Sequence, residues 1–249
     1  MKYGISELSI VPVRIEKNSS SAMCTQLLYG EYFKVLENKK KRCRIRTIPD
    51  GCEGWVDIRQ ITPLSKKEFT HLENLKRTKL CADLVSFIEG TNHLTPVVLG
   101  SRLNALKHLN QSFDGEIIRF SVKKKALPTL ALSYLNAPYL EGGKTPFGID
   151  ASGLVQMVYR LYGKELARTI EGQSKAGEVL SFIEESVPGD LAFFDNSEGE
   201  LNHVGIMLAD HHIIHSFGKV RIDRIDHTGI FNREEKRYTH KLRMIKKIV

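Results

Sequence analysis

Small β-barrels followed by an α+β domain is the fold class that this sequence predicts, and three observations predict it. Residues 8–61 hold four short runs rich in Val, Ile, Leu and aromatics, separated by turn residues. Residues 151–162 repeat apolar side chains with a period near 3.6 rather than 2. After Pro188 the chain again reads as short β-type runs. Helical segments first and an antiparallel run afterwards make an α+β domain.

Taken in order, LSIVPVRI, QLLYGEYFKVLE, RCRIRTI and GWVDIRQI are the first strands, with YGE at 29–31 and PDG at 49–51 as punctuation. So short a stretch of strands is too small for a sandwich and suits a small barrel. Pro63 and the polar run KKEFTHLENLKR read as a linker with some helix. TPVVLGSRLNAL and FDGEIIRFSV have similar spacing and suggest a second small barrel. The expected division is 1–62 for the first barrel, 63–126 for the linker and second barrel, and 127–249 for the α+β domain. In the last, TLALSYLNAPY reads as helical up to Pro138, EGGKTPFG as a loop and VLSFIEESV as ambiguous. DLAFFD, HVGIMLAD, HHIIHSF and KVRIDRI read as strands.

The formal net charge is +8, with Lys and Arg gathered in KKKRCRIR, in KKK at 123–125 and in KLRMIKK near the end. Such runs suit solvated faces, or attraction to a partner rich in carboxylates. A nucleic-acid role would rest on this charge alone, because no RNA-binding motif accompanies it. No stretch approaches the ~20 apolar residues that a membrane helix needs. The N-terminus lacks the apolar core of a secretory signal, so a cytoplasmic protein is expected. Cys24, Cys43, Cys52 and Cys81 show no metal-ligand spacing and are expected as reduced thiols.

The helix over 151–162 opens on Asp150 and Ser152, short oxygen-bearing side chains suited to the unpartnered N–H groups there. Gly163 follows the last periodic residue, where a left-handed terminus is wanted. A helix entry of this kind lowers the pKa of a thiol and offers N–H groups to an oxyanion. This one carries Ala151.

The segments PYLEGG and PFGIDASGLVQ, then PGDLAFFD, NHVGIML and IIHSFG, resemble the NlpC-type papain-like cysteine peptidases. The preceding β regions, chiefly QLLYGEYFKVLE and DGCEGWVDIRQI, resemble the bacterial SH3-like domains of the YkfC-like branch of γ-D-glutamyl-L-diamino-acid endopeptidases. The resemblance implies a papain-like catalytic domain behind one or two SH3-like barrels. It places Ala151 where the family has its nucleophilic cysteine, His203 as general base and His215 as the group that orients it. Tyr139 falls beside the nucleophile, and Asp150 and Ser152 fall at positions that bind the substrate amine. It implies no metal and no organic cofactor. The resemblance implies a murein stem peptide as partner, cut after γ-D-glutamate in cell-wall recycling, and neither nucleic acid nor membrane is expected.

The match departs from the branch in places. The acidic residue and the tyrosine that hold the free amine fall on Ala22 and Cys52, a usual tryptophan is Glu141, and an Asp-Ala-Ser segment reads Thr169-Ile170-Glu171, although Arg168 and Gln173 fit. Preference for a free L-alanine terminus therefore carries over poorly. Ala151 reads either as a substitution that removes the thiol or as a natural loss that leaves a muropeptide-binding pocket. An amidase or acyltransferase on the same fold is a further reading. Ser152 lies one residue past the nucleophile position and outside any Gly-x-Ser-x-Gly setting. His211 and His212 read as solvated turn residues.

One expectation is geometric. HVGIMLAD and HHIIHSF must form a hairpin, and directly opposed residues share a face. For His215 to orient His203 the register must be even, for example Gly205 opposite His215, with an odd loop such as Ala209-Asp210-His211 or else a bulge that resets the register.

Overall fold

A computed structural model describes every residue except 49, 76 and 121–123. Pro49 of the PDG turn, Lys76 of the polar run, the last two residues of FDGEIIRFSV and the first lysine of the 123–125 run lie outside the described residues. Contacts divide the chain into two units: Met1–Arg119 with Glu141–Thr145, and Phe120–Leu140 with Pro146–Val249.

In the first unit, β1 (Tyr3–Ile5), β2 (Ile10–Arg14), β3 (Met23–Leu28), β4 (Tyr32–Asn38), β5 (Arg42–Thr47), β6 (Glu53–Asp57) and β7 (Thr62–Leu64) form one sheet in the order β3-β2-β6-β5-β4-β1-β7. Alternation decides its faces. On β5, Cys43, Ile45 and Thr47 are buried while Arg42 is half-buried and Arg44 and Arg46 are exposed. The inward set continues with Val11, Val13, Leu27, Phe33 and Val56, and makes one apolar core. The exposed guanidiniums of Arg44 and Arg46 both pair with Glu53 on β6, so part of the basic cluster is neutralised on its own sheet.

The boundary expected at residue 62 falls inside β7, and among the described residues 63–126 form no second seven-stranded sheet. They contain α1 (Lys66–Glu73), capped by Ser65, and a three-stranded sheet of β8 (Val85–Glu89), β9 (Leu94–Val98) and β10 (Ser112–Phe113). The apolar residues explain why this stretch is not separate. Ile5 and Leu64 pack with Leu72 and Ala105, and Tyr29 packs with Cys81, Ile88, Val97 and Leu103. Gly30 makes the turn between β3 and β4 at φ +76°, and a Cβ there would lie 1.8 Å from the Arg102 carbonyl oxygen. Only glycine combines that backbone with that approach. β11 (Lys144–Thr145) also belongs to this unit, where the buried Lys144 ammonium pairs with Glu31 at 2.9 Å.

The second unit holds α2 (Ala126–Leu132), β12 (Gly148–Ile149), α3 (Ala151–Tyr162), α4 (Ile170–Ser174) and β13 (Glu178–Leu180), then β14 (Leu191–Asp195), β15 (Leu201–Met207), β16 (His212–Phe217), β17 (Lys219–Ile225), β18 (Gly229–Asn232) and β19 (Arg237–Lys247). The strands follow the order β13-β19-β14-β15-β16-β17-β18, and β19 also pairs with β18. β14 to β19 therefore close into a six-stranded antiparallel barrel, filled by residues such as Phe194, Met207, Ile213, Ile225, Ile230 and Ile245.

β18 and β19 lie beyond the last strand read from the sequence, and β19 takes in KLRMIKK. Lys241, Arg243 and Lys247 point outward, while Met244 is half-buried and Ile245 and Lys246 are buried. Dense charge masks a strand when it occupies the outward positions. No helix among the described residues is long and apolar enough to cross a membrane.

Candidate active site

The Asp150 carboxylate caps α3, accepting from the Gly153 N–H at 2.6 Å with Asp150 itself in extended backbone. Gly163 ends the helix at φ +104°. This places Ala151 at the first helical position, 5% exposed.

Asp150 has a second partner. Arg168 donates to its two carboxylate oxygens at 3.0 and 2.6 Å and to Ser152 Oγ at 2.7 Å. Gln173 Nε2 donates to the Ser152 carbonyl at 2.8 Å and to the Ala167 carbonyl at 2.9 Å. Asp150, Ser152 and Arg168 are all buried. A fork-like guanidinium on a buried carboxylate is a strong, orienting contact.

The hairpin of β15 and β16 has Gly205 opposite His215, with Asp210 and His211 at φ 56° and 55° in its loop. The even register puts the side chains of His203 and His215 on one face. His203 Nε2 lies 2.8 Å from His215 Nδ1, and the two rings meet edge to face. His215 Nε2 lies 3.0 Å from Asp223 Oδ2 on β17, and Arg221 Nε donates to the same oxygen at 2.6 Å. His240 of β19 stacks on His203 with centroids 4.0 Å apart. β16 also reaches the helix entry, because Ser216 Oγ donates to the Ile149 carbonyl at 2.8 Å. Tyr139 N–H donates to the Gly218 carbonyl at 3.0 Å, and Tyr139 bridges to Ile149.

Burial sets the protonation of this cluster. It holds His203 well below the usual 6.5, helped by the neighbouring His215 and His240, and moves His240 down to about 4. Burial also lowers His215, although Asp223 pulls it the other way. All three rings are thus neutral at neutral pH. In the unfolded chain each would take a proton near pH 6.5. The unfolded state therefore binds more protons below that pH, so the stability is complete above about pH 6.5 and is lost as pH falls towards the folded values. The slope is about 1.4 kcal/mol per pH unit for each group. Urea unfolding midpoints are expected to drop between pH 7.5 and pH 5, and H240F is expected to flatten that drop by about one proton. An unchanged slope in H240F would show that His240 is not held neutral.

One nitrogen from each of His203, His215 and His240 lies within 4.8 Å of the others, so among the described residues these three could in principle hold a metal ion. Two of those rings already face each other nitrogen to nitrogen at 2.8 Å, and the far nitrogen of His215 faces Asp223. The set fits a hydrogen-bond chain better than a ligand set.

The residues expected from the sequence thus fall in two groups joined through β16: Asp150, Ala151 and Ser152 at the helix entry, and His203 with His215 in the barrel. Tyr139 sits beside the join, 43% exposed. Asp150 and Ser152 are engaged by Arg168 rather than presented as open side chains, because the capped helix start needs its buried carboxylate balanced. Of the two turn histidines, His211 is exposed and His212 half-buried. Asp223, Arg221 and His240 were not anticipated. The signal for the first two was present: Arg221 opposes His215, and Asp223, two residues on, shares its face.

Residues 136–241 match the NlpC/P60 family, and residues 14–61 match the bacterial dipeptidyl-peptidase SH3 domain. The gamma-D-glutamyl-L-lysine dipeptidyl-peptidase of Bacillus subtilis is 34% identical over 85 residues, covering 33% of this chain and 28% of that protein. The bifunctional muramidase/DL-endopeptidase CwlT of the same organism is 39% identical over 89 residues, 34% of this chain and 27% of that protein. Each match thus spans little more than a quarter of the relative. A crystal structure of an NlpC/P60 family protein from Bacillus cereus is covered over 99% of both chains with a TM-score of 0.78 at 18% identity, a likeness of fold. By its sequence and its fold, then, this chain carries an NlpC/P60 domain behind a bacterial SH3-like domain.

Proposed function

We propose that this chain has the architecture of a cysteine peptidase of peptidoglycan stem peptides, with alanine standing at the nucleophile position. The observation that carries the reading is the buried imidazole pair, His203 Nε2 to His215 Nδ1 at 2.8 Å, in the same unit as a capped helix that begins at residue 151. Two neutral imidazoles in line are a base and its orienting group, and such a pair serves a nucleophile. A cysteine at 151 would stand at the positive end of α3, where its thiolate is favoured. It would attack the amide carbonyl while His203 takes the thiol proton, and the backbone N–H at the helix start would face the oxyanion. The amine would leave with a proton from His203, and water would then hydrolyse the thioester.

The bond we assign is the one between γ-D-glutamate and the following diamino acid, supported by the names of relatives such as the gamma-D-glutamyl-L-lysine dipeptidyl-peptidase. The basic balance of the chain, +8, suits a substrate with several carboxylates. A cytoplasmic role in cell-wall peptide recycling is part of the proposal, supported by four cysteines of which none is in a disulfide.

Ala151 itself favours a second reading, a domain that binds muropeptides without cutting them. One experiment separates the two. The protein and its Ala151→Cys variant are incubated with L-Ala-γ-D-Glu-diaminopimelate, with products read by mass spectrometry and binding by calorimetry. We expect L-Ala-γ-D-Glu and free diaminopimelate from A151C alone. Binding by both chains without cleavage by either would favour the second reading, and equal turnover by both would remove residue 151 from the chemistry.

A further inference from the structure

We propose that Asp223, clamped by Arg221, fixes the tautomers of both imidazoles and so makes Nδ1 of His203 the atom that accepts the proton. The consequence for catalysis rests on the peptidase reading above; the tautomers rest on geometry alone. Asp223 and His215 are 5% and 0% exposed, and Asp223 Oδ2 lies 3.0 Å from His215 Nε2. Arg221 grips the carboxylate from the other side, Nε to Oδ2 at 2.6 Å and Nη2 to Oδ1 at 3.1 Å, and is itself braced by Asn232 and Glu234.

A carboxylate buried without a partner would take up a proton. For Asp223, burial alone pushes upward, but the hydrogen bond to His215 and the Arg221 guanidinium outweigh it and hold the group below the usual carboxylate range. It is therefore ionised, and an ionised carboxylate only accepts. The proton of the His215–Asp223 contact must then sit on His215 Nε2.

A neutral imidazole carries one N–H, so His215 Nδ1 is bare and accepts. The 2.8 Å contact needs a donor, and among the described residues the atom facing it is His203 Nε2. His203 therefore carries its proton on Nε2, and its Nδ1 is the free base. The reverse order would set the lone pair of His215 Nε2 against the carboxylate at 3.0 Å. His240 does not compete, because it meets His203 face to face. After His203 Nδ1 takes a thiol proton, the imidazolium keeps its Nε2–H on His215.

The test reads tautomers directly on the chain as it exists. Long-range ¹H–¹⁵N spectra of histidine-labelled protein at pH 7.5 are expected to show Nε2–H with bare Nδ1 for both His203 and His215. In D223N the amide can turn its NH₂ towards His215, and both rings are expected to switch to Nδ1–H. In the A151C background D223N is then expected to lower kcat by about 10⁴-fold, the loss seen when a triad imidazole is held in the wrong tautomer, with KM little changed. Nδ1–H on either ring in the unmutated chain overturns the proposal, whether or not D223N folds. So does an unswitched His203 in folded D223N. If the tautomers are as stated and A151C cuts nothing, the lock stands and the peptidase reading falls.

Discussion

His203→Ala in the Ala151→Cys chain is expected to lower kcat by about 10²–10⁴-fold, the usual contribution of a positioned general base. The size follows from what burial does to this ring. His203 is 6% exposed and neutral at working pH, so it can accept a proton at every turnover without first losing one. Its partner His215 is fully buried, so the ring has one orientation available. Its neighbours do not stand in for it: His240 lies against the ring face, and His211 is exposed in the hairpin loop. Steady-state kinetics on the tripeptide measure the effect. A kcat within a few-fold of the parent would remove His203 from the chemistry.

Arg168→Met is expected to destabilise the fold by about 3–5 kcal/mol, the cost of leaving a buried charge without its partner. Arg168 donates twice to the Asp150 carboxylate and once to Ser152 Oγ, and all three residues are buried. The α3 terminus offsets part of the stranded negative charge, since an N-terminal carboxylate is favoured by about 0.3–2 kcal/mol. The double variant D150N/R168M should recover much of the loss, because asparagine caps a helix nearly as well and carries no charge. Denaturant unfolding of the three chains decides it. Equal losses in the single and double variants would mean that Arg168 matters through packing, not charge.

Much of this was legible in the sequence because it depends on local pattern. The period of 3.6 in residues 151–162, with Asp150 before and Gly163 after, specifies α3 and both of its ends. Strand parity ties the register to the role expected of His215, and the observed pairing of Gly205 with His215 meets that condition. What was not legible depends on closure and on long-range balance. β19 carries six charged or histidine residues in eleven, and only its pairing with both β14 and β18 makes it a wall of the barrel. Residues 63–126 look separable by composition, yet Leu72, Cys81 and Leu103 share cores with Ile5 and Tyr29. The engagement of Asp150 by Arg168 spans eighteen residues and leaves no periodic trace. Asp223 was within reach, because one more step of the same parity argument arrives at it.

The account turns on residue 151 being a nucleophile position served by His203, and the acidity of a thiol placed there tests that most directly. Alkylation of the Ala151→Cys thiol by iodoacetamide, followed by mass spectrometry across pH, gives its titration midpoint. An unperturbed cysteine titrates at about 8.5, and one activated by a helix N-terminus and an imidazole at about 3.5–7.5. The buried Cys43 and Cys81, pushed up to about 11 by burial, supply the internal contrast. The account predicts a midpoint well below 8.5 that rises when His203→Ala is added. A midpoint at or above 8.5, indifferent to His203, would contradict it.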